Sequence, residues 1–208
     1  MPLIVLMSSS GQSRDVLDAI VAAGNPVAGL LWDEAPGSAF WGIPVLGSLE
    51  GWREHARESV EFVVALGGGK QREEYGEAIV GAGARVVSAV HPTARVSPHA
   101  TLGRGVAILA GVNVSPDASI GDYVVLNANC SVDHDCVLER GVQFGPGVML
   151  AGNVTVEAAA FVGVGASVMP GVRIGAGALV GAGAVVIRDV PPGAKVAGNP
   201  ARTLGQAL

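Results

Sequence analysis

Aliphatic or aromatic residues occupy every sixth position of the chain from Val90 to Val186, without interruption. Four residues after each of them stands a small residue, from Ala94 to Val190. A fixed short period is typical of a solenoid, in which each repeat covers only its neighbours and the core grows by stacking. The period is neither that of a helix nor that of a plain strand, so it predicts a short strand followed by a corner. The apolar series is Val90, Val96, Leu102, Ile108, Val114, Ile120, Leu126, Val132, Leu138, Phe144, Leu150, Val156, Val162, Val168, Ile174, Val180 and Val186.

Three such units would close a triangular coil of eighteen residues, with the apolar residue of each unit pointing into the prism. Successive coils would then pair as parallel strands about 4.8 Å apart. Glycines follow many apolar positions, as in Ile120–Gly121 and Val180–Gly181, and supply the permissive backbone that corners require. Residues 89–208 are therefore predicted to form a parallel β-helix.

Residues 1–88 show a different pattern, in which short apolar runs alternate with segments of helical spacing. Such an alternation predicts a small parallel α/β domain of Rossmann-like type. The expected strands are Leu3–Met7, 26–32, 61–66 and 85–90, and the expected helices are 14–23, 49–57 and 70–80.

Charge and hydropathy narrow the class of protein. The net charge is −5, and Lys and Arg are dispersed, which argues against a nucleic-acid-binding surface. No apolar stretch of membrane-spanning length and no basic segment before residues 4–7 is present, so we expect a cytoplasmic protein without a membrane segment. Cys130 and Cys136 both fall on the small inward position of the repeat, which favours a structural role over a reactive one.

In parallel α/β sheets, ligands bind beyond the carboxyl ends of the strands. Those ends are predicted to present the turn at Gly11, the pair Asp33 and Glu34, and the glycine-rich turn leading to Lys70. Free N–H groups at glycine-rich turns that open helices suit phosphate or nucleotide groups. Because Gly is common in loops of every kind, ordinary loop chemistry remains an alternative for these turns.

One polar cluster stands out on a solenoid that is otherwise rich in Gly, Ala and Val. His134 lies two residues after the inward Val132, at an exposed corner, between Asp133 and Asp135. An imidazole is the usual general base at neutral pH, and a neighbouring carboxylate orients it and stabilises its charged form. A solvated corner histidine without a catalytic role is the competing interpretation. The cluster consists of Asn127, Asn129, Ser131, Asp133, His134 and Asp135.

A period of eighteen places Gly152 one coil above His134 on the same corner. A glycine there lets a ligand approach the backbone, whose N–H could stabilise a tetrahedral oxyanion. Pro146, Val164 and Ala182 form a second corner row, small and apolar enough to accept a pantetheine arm parallel to the prism axis.

The segment from Asn127 to Cys136, with Gly145–Gly147 and Leu150–Val154 after it, resembles the sialic acid O-acetyltransferase family of hexapeptide-repeat acyltransferases. That family includes bacterial nucleotide-linked amino-sugar N-acetyltransferases. The tail 188–202 is similar to the end of many hexapeptide acyltransferases, and Gly29–Asp33 extends the resemblance into the first domain. The resemblance implies a left-handed β-helix, a homotrimer with active sites between prisms, and acetyl-CoA as co-substrate without a metal.

The resemblance also implies roles for individual residues. His134 matches the family's catalytic base, Asp135 its acidic neighbour, and Asn127 a polar residue near the acceptor amine. Gly152 matches a glycine whose amide contacts the thioester carbonyl. The remaining matched positions are Gln143, where relatives often have a second histidine beside the acetyl group, Val164 and Ala182 flanking coenzyme A, and Asp33 and the turn at Gly11 at the nucleotide.

The expected function is acetyl-CoA-dependent N-acetylation of a UDP- or GDP-linked 4-amino-deoxy sugar by direct transfer. O-acetylation of a sialic acid or another sugar is an alternative, because the same base could perform it. A non-catalytic sugar-nucleotide-binding protein is another. A β-helix metalloenzyme of the γ-carbonic anhydrase kind is disfavoured, since no histidine follows His134 to complete a three-histidine zinc site.

Overall fold

The computed structural model describes residues 1–35 and 37–204. The chain divides into two compact units, Met1–Pro92 and Thr93–Leu208, a division four residues later than the one expected from the sequence pattern. The expected strand over 85–90 is two short strands in the structure, Arg85–Val86 and Ala89–Val90.

The first unit is an α/β domain built on a six-stranded sheet in the order β3-β4-β2-β1-β5-β6. Strand β1 lies at the centre and pairs in parallel with β2 and β5, and its side chains are all buried. The strands alternate with helices, as the sequence predicts. The elements are β1 (Leu3–Met7), α1 (Gly11–Ala22), β2 (Val27–Leu31), β3 (Ala39–Phe40), β4 (Ile43–Gly47), a 3-10 turn (Leu49–Gly51), α2 (Trp52–His55), β5 (Glu61–Ala65), α3 (Gly69–Gly81), β6 (Arg85–Val86) and β7 (Ala89–Val90).

Helix α1 begins three residues earlier than its apolar spacing predicts. The reason is an N-cap: the Ser10 hydroxyl accepts a hydrogen bond from the Ser13 N–H at 3.3 Å, which satisfies one of the free donors of the first turn. The expected helix over 49–57 is instead a 3-10 turn followed by the single-turn helix α2.

The sequence pattern missed the hairpin of β3 and β4. The two strands pair antiparallel through a turn at Trp41 and Gly42, which both have positive φ. Strand β4 is half-buried to exposed along its length, so it lacks the continuous apolar run by which buried strands are identified.

The second unit consists of stacked three-sided coils, and from β8 to β20 each strand pairs in parallel with the strand eighteen residues later, as in Ser131 with Met149. Three sheets result, which confirms the predicted parallel β-helix type of fold. The inward residues from Val114 to Val186 are all buried. The strands are β8 (Arg95–Val96), β9 (Thr101–Leu102), β10 (Ala107–Ile108), β11 (Asn113–Val114), β12 (Ser119–Ile120), β13 (Val125–Leu126), β14 (Ser131–Val132), β15 (Val137–Leu138), β16 (Gln143–Phe144), β17 (Met149–Leu150), β18 (Thr155–Val156), β19 (Phe161–Val162), β20 (Ser167–Val168), β21 (Arg173–Ile174), β22 (Leu179–Val180), β23 (Val185–Val186), β24 (Lys195–Ala197) and β25 (Arg202–Thr203).

Cys130 and Cys136 are buried free thiols inside the coils, in agreement with the structural role expected for them. Over residues 1–35 and 37–204, none of the helices has both the length and the apolar character needed to cross a membrane.

Candidate active site

The corners of the prism carry the candidate chemistry, and each corner repeats every eighteen residues. We call corner A the row of Pro116, His134, Gly152 and Pro170, corner B the row of Pro146, Val164 and Ala182, and corner C the row of Asp122, Arg140, Ala158 and Ala176. Within a corner, a backbone hydrogen bond joins each turn to the next: on corner A the Asn153 N–H donates to the His134 carbonyl at 2.9 Å. His134 and Gly152 are thus neighbours on one corner, as the period predicts.

His134 is held by the two carboxylates beside it in the chain. Its Nδ1 lies 2.8 Å from Oδ2 of Asp135, and its backbone N–H donates to Oδ1 of Asp133, also at 2.8 Å. Asp135 has a left-handed backbone with φ of 58°, a conformation in which Asp is enriched. The sequence left open which carboxylate orients the ring, and the structure assigns Asp135 to the ring and Asp133 to the backbone.

The electrostatic surroundings of His134 favour its protonated form. The hydrogen bond that His134 donates to the Asp135 carboxylate raises the pKa of His134 above its ordinary value of 6.5, and the charges of Asp133 and Asp117 act in the same direction. With Nδ1 donating its proton to Asp135, the free lone pair of the neutral ring lies on Nε2. The ring is largely exposed, so Nε2 is accessible from solvent.

The ring of His134 lies directly against Gly152. A methyl group built on the Gly152 Cα would come 2.5 Å from Cε1 and 2.6 Å from Nε2 of His134. Any side chain at position 152 would therefore displace the ring, and Gly152 is buried beneath it.

On one corner of this solenoid, side-chain carboxylates reach the backbone N–H of the corner residue. On corner C, the Ala158 N–H donates to Glu139 and the Ala176 N–H donates to Glu157, both at 2.9 Å. On corner A, the Gly152 N–H has no hydrogen-bond acceptor among the residues that the structure describes. An anionic oxygen beside the His134 ring would supply one.

Asn127 and Gln143 are not brought to His134 within one chain. Asn127 precedes strand β14 and therefore lies at the other end of that prism face, where its amide donates to the Phe144 carbonyl at 2.8 Å. Gln143 lies in the neighbouring sheet, paired with Val125 and Phe161. Their roles beside the acetyl group and the acceptor stay predictions.

Corner B presents the small apolar row that the sequence predicts. The Gly165 N–H donates to the Pro146 carbonyl at 2.9 Å and the Gly183 N–H to the Val164 carbonyl at 2.8 Å, so the turns stack in register. Val164 and Ala182 are both exposed.

In the first unit, a cavity of about 180 Å³ opens beyond the carboxyl ends of β1 and β2. Asp33 and Glu34 line it, as the sequence predicts. Hydrogen bonds from residues elsewhere in the chain hold both carboxylates. Asp33 accepts a hydrogen bond from the Leu49 N–H at 2.8 Å, and Glu34 accepts one from the Ser9 hydroxyl at 2.7 Å.

Hydroxyl groups gather at the start of α1, next to this cavity. The hydroxyls of Ser8, Ser10 and Ser13 lie within 3.0–3.1 Å of one another, and Ser13 donates to the Ala65 carbonyl at the end of β5. Gly11 is the first residue of α1 and has open space at its Cα. This turn is therefore a rigid helix N-terminus, the arrangement in which backbone N–H groups bind phosphate.

Lys70 does not line the cavity. Its side chain is 90% exposed and pairs with Glu74 at 3.7 Å on the outer side of α3. Gln71, one residue further along α3, lines the cavity instead, together with the buried Trp32. The sequence pattern could not identify Gln71, because the rotation of α3 about its axis decides which of two adjacent residues faces the strand ends.

No cluster of three or more metal-ligating side chains occurs among the residues that the structure describes.

Comparison with known proteins gives no match to a protein-family model and none to a curated sequence. Solved structures do match. A perosamine N-acetyltransferase from Caulobacter crescentus, in complex with CoA and GDP-perosamine, is 37% identical, with 99% of this chain and 98% of that chain covered and a TM-score of 0.93. The acetyltransferase domain of PglB from Neisseria gonorrhoeae, in complex with acetyl coenzyme A, is 31% identical over 98% of both chains, with a TM-score of 0.91. WeeI from Acinetobacter baumannii is 27% identical over 98% of this chain and 100% of that chain, with a TM-score of 0.87.

These relatives support the predicted similarity to nucleotide-linked amino-sugar N-acetyltransferases. Membership of the sialic acid O-acetyltransferase family stays a prediction. The similarity extends over both units, and identities of 37% and 31% across nearly full length establish kinship. The chain is an acetyltransferase and belongs to the family of hexapeptide-type acetyltransferases that contains the perosamine N-acetyltransferase of C. crescentus.

Proposed function

We propose that this protein transfers the acetyl group of acetyl-CoA to the amino group of a UDP- or GDP-linked 4-amino-deoxy sugar, with His134 as the general base. The observation that carries the proposal is the arrangement of His134. Its Nδ1 is 2.8 Å from Asp135, and its accessible Nε2 lies against Gly152, whose N–H lacks an acceptor among the described residues.

The chemistry follows from that geometry. Nε2 of His134 takes a proton from the sugar amine as its nitrogen attacks the thioester carbonyl, and Asp135 stabilises the imidazolium that forms. The C–N bond forms and the carbonyl becomes a tetrahedral oxyanion. When the C–S bond breaks, the imidazolium returns the proton to the departing thiolate, so coenzyme A leaves as a thiol.

The Gly152 N–H is the group best placed to stabilise the oxyanion. It is a fixed backbone donor that need not reorganise during the reaction, which is the property that makes such donors effective. Positioning is the other main contribution, because an uncharged amine is already a good nucleophile.

The names of the relatives support the substrate class. The C. crescentus enzyme is described as a GDP-perosamine N-acetyltransferase, and variants of it with one histidine changed to Ala or Asn were crystallised with both CoA and GDP-perosamine. A histidine that can be removed without loss of either ligand is consistent with a base that acts in the chemical step, the role proposed for His134.

The cavity beside Asp33 and Glu34 is the proposed site of the nucleotide. The N-terminus of α1 at Gly11 would hold a phosphate, and Asp33 and Glu34 would accept hydrogen bonds from ribose or base. Trp32 also lines this cavity, and its buried indole N–H has no acceptor within the described residues, so a ligand oxygen would satisfy it.

Corner A and corner B are both proposed to contact acetyl-CoA. They could contact the same acetyl-CoA molecule only if the two corners came from two copies of the chain. Corner A with Gly152 and corner B with Val164 are separated by one prism face, which spans six residues and therefore roughly 20 Å. An extended cofactor parallel to the axis would touch both rows if a second copy brought its corner B to the first copy's corner A. This geometry supports the homotrimer, and it would also bring Asn127 and Gln143 of one copy towards His134 of another.

We further propose, from the family resemblance, that the β-helix is left-handed, that residues 1–88 form a Rossmann-like nucleotide-sugar-binding domain, and that the protein acts in the cytoplasm.

The experiment that tests the function is thiol release from acetyl-CoA with a panel of UDP-, GDP- and dTDP-linked 4-amino sugars, beside free sialic acid. We expect release with one nucleotide-linked amino sugar, and mass spectrometry would locate the acetyl group on nitrogen. Release with sialic acid alone would replace N-acetylation by O-acetylation. Binding of sugar nucleotide without thiol release would replace the enzyme by a non-catalytic binding protein.

A further inference from the structure

Three aromatic side chains connect the tip of the β3–β4 hairpin to the wall of the proposed nucleotide cavity. The exposed Trp41 stacks on Phe40, with ring centroids 5.0 Å apart and an angle of 21° between the ring planes. Phe40 meets Trp32 in a T-shaped contact, with centroids 5.3 Å apart and planes at 89°. Trp32 is 4% exposed and lines the cavity. The three rings therefore form an aromatic series that ends at the proposed ligand site.

Trp41 occupies a backbone position that does not suit a large side chain. It is the first of two turn residues between β3 and β4, with φ of 51°, and Gly42 follows with φ of 78°. A two-residue turn with both φ values positive ordinarily takes Asn–Gly or Asp–Gly, because bulky side chains are disfavoured in left-handed backbone. Trp41 is 53% exposed, so burial offsets little of this local cost, and the stack on Phe40 is its main aromatic contact. Departures of this kind cluster at functional sites.

The same hairpin holds both the backbone and the ring of Trp32. The backbone N–H of Trp32 donates to the carbonyl of Gly47, at the end of β4, at 2.8 Å. The T-shaped contact with Phe40 restricts rotation of the indole, because edge-to-face contacts between rings are directional. The orientation of the indole at the cavity wall thus depends on residues of the hairpin.

The indole N–H of Trp32 is buried, and it has no acceptor among residues 1–35 and 37–204. An indole nitrogen can only donate, and a buried donor without an acceptor is unfavourable. The open space beside this side chain is the cavity that Asp33 and Glu34 also line. An oxygen atom of a bound nucleotide would therefore supply the acceptor. Because a hydrogen bond weakens steeply as its angle departs from linear, this donor contributes most when the ring is already oriented before the ligand binds.

We propose that Phe40 and Trp41 are positioning residues, which hold the indole of Trp32 so that its N–H donates to an oxygen atom of the bound nucleotide. The inference rests on the nucleotide site in the proposed function. It adds to that site two residues that do not themselves line the cavity. The aromatic ring at position 41 is retained, on this account, for the orientation of Trp32 and at the expense of the turn.

The test measures binding of GDP and of UDP by isothermal titration calorimetry and follows whichever of the two binds the unaltered protein more tightly. Trp32→Phe keeps an aromatic ring but removes the N–H, and it should weaken binding about tenfold. Phe40→Leu and Trp41→Asn should each weaken binding at least about threefold, because the donor stays but loses its orientation. The matched control is Leu46→Thr, which trims an exposed apolar side chain of β4 outside the aromatic series and should leave binding unchanged.

Trp41→Asn separates positioning from support of the fold. Asn suits the left-handed turn better than Trp does, so this variant should keep or raise the unfolding midpoint while it weakens nucleotide binding. A parallel loss of stability and of binding would mean that the ring only supports the fold, and it would overturn the proposal. Unchanged binding by Trp41→Asn would overturn it as well.

A double-mutant cycle identifies the group through which Trp41 acts. In the Trp32→Phe background, Trp41→Asn should have no further effect on binding, because the N–H that it orients is gone. Additive losses would show that Trp41 acts on the nucleotide independently of Trp32, which contradicts a positioning role. Failure of the unaltered protein to bind either nucleotide would refute the proposed nucleotide site itself, whereas normal binding by every variant would refute this inference alone.

Discussion

The imidazole of His134 and the Cα of Gly152 are in contact across one coil of the solenoid, so close that a methyl group on Gly152 would come 2.5 Å from the ring. Eighteen residues separate the two in the chain, and the contact follows directly from the coil length. It joins the proposed base to the proposed oxyanion donor and leaves no side chain between them.

Replacing His134 by Ala should lower kcat at least about a hundredfold, the usual contribution of a positioned general base. His134→Asn should do the same. Because the ring is exposed and supports no core contact, the unfolding midpoint and coenzyme A binding by calorimetry should stay unchanged. The control is His99→Ala, which removes an exposed histidine from a turn of the first coil. Near-normal turnover of His134→Ala would contradict the assignment.

The pH dependence of kcat should change when the negative charge of the Asp135 carboxylate is removed. The base acts when it is neutral, so activity should rise with pH through the pKa of His134, which Asp135 holds above 6.5. Asp135→Asn keeps a residue type that tolerates positive φ but removes the charge, so the acid limb should move to lower pH. Asp122→Asn on corner C is the control and should leave the limb in place. An unchanged limb in Asp135→Asn would show that Asp135 does not set this pKa.

Gly152→Ala should reduce kcat by about a hundredfold, because the ring of His134 must move away from the added methyl group. The backbone of Gly152 does not require positive φ, so Ala fits the turn and the unfolding midpoint should change little. Gly81→Ala is the matched control, since open space surrounds its Cα. Full activity of Gly152→Ala would mean that the ring position is irrelevant to catalysis.

Phe144 and Phe161 lie on the paired strands β16 and β19 of one sheet, and they should respond differently to the same change. Phe144 is fully buried in the prism, so Phe144→Ala should lower the free energy of unfolding by about 3–5 kcal/mol in urea titrations. Phe161 is 38% exposed on the outer face. Phe161→Ala should keep the circular dichroism spectrum and, if this apolar side chain lies in the interface of the proposed trimer, shift the protein towards smaller species in sedimentation velocity. Unaltered assembly of this variant would show that Phe161 does not contribute to an interface between copies.

Asp33 and Lys70 should differ in their effect on nucleotide binding, although the sequence placed both near the ligand. Asp33→Asn preserves an acceptor for the Leu49 N–H but removes the charge at the cavity, and it should weaken nucleotide-sugar binding by about tenfold. Lys70→Ala should leave binding within about twofold, because that exposed side chain is engaged with Glu74 on the far side of α3. Isothermal titration with the sugar nucleotide identified by thiol release measures both. A tenfold loss in Lys70→Ala would show that Lys70 reorients to bind the ligand.

The two units differ in how much their sequence reveals, and the reason is the range of their contacts. In the solenoid each residue touches those one coil before and after it, so a single period fixes inward positions, strand register and the stacking of Gly152 on His134. The period did not predict the end of the solenoid, where Val190 bridges Ile174 at an offset of sixteen residues instead of eighteen, because the turn after Val186 is two residues shorter. In the α/β unit, strand order and helix rotation depend on packing between distant segments.

The sequence by itself determined the β-helix, its core, the corner that bears His134, and the strand-end loops with Asp33 and Glu34. Only the tertiary structure decided which carboxylate holds the imidazole ring, that α3 turns Gln71 rather than Lys70 towards the cavity, and that Arg188 and Arg202 line one cavity at the end of the solenoid. The physical reason is that contacts within a repeat occur at a fixed separation along the chain, so the sequence period predicts them. The direction of a side chain and the contacts between remote segments depend instead on tertiary packing, which follows no sequence period.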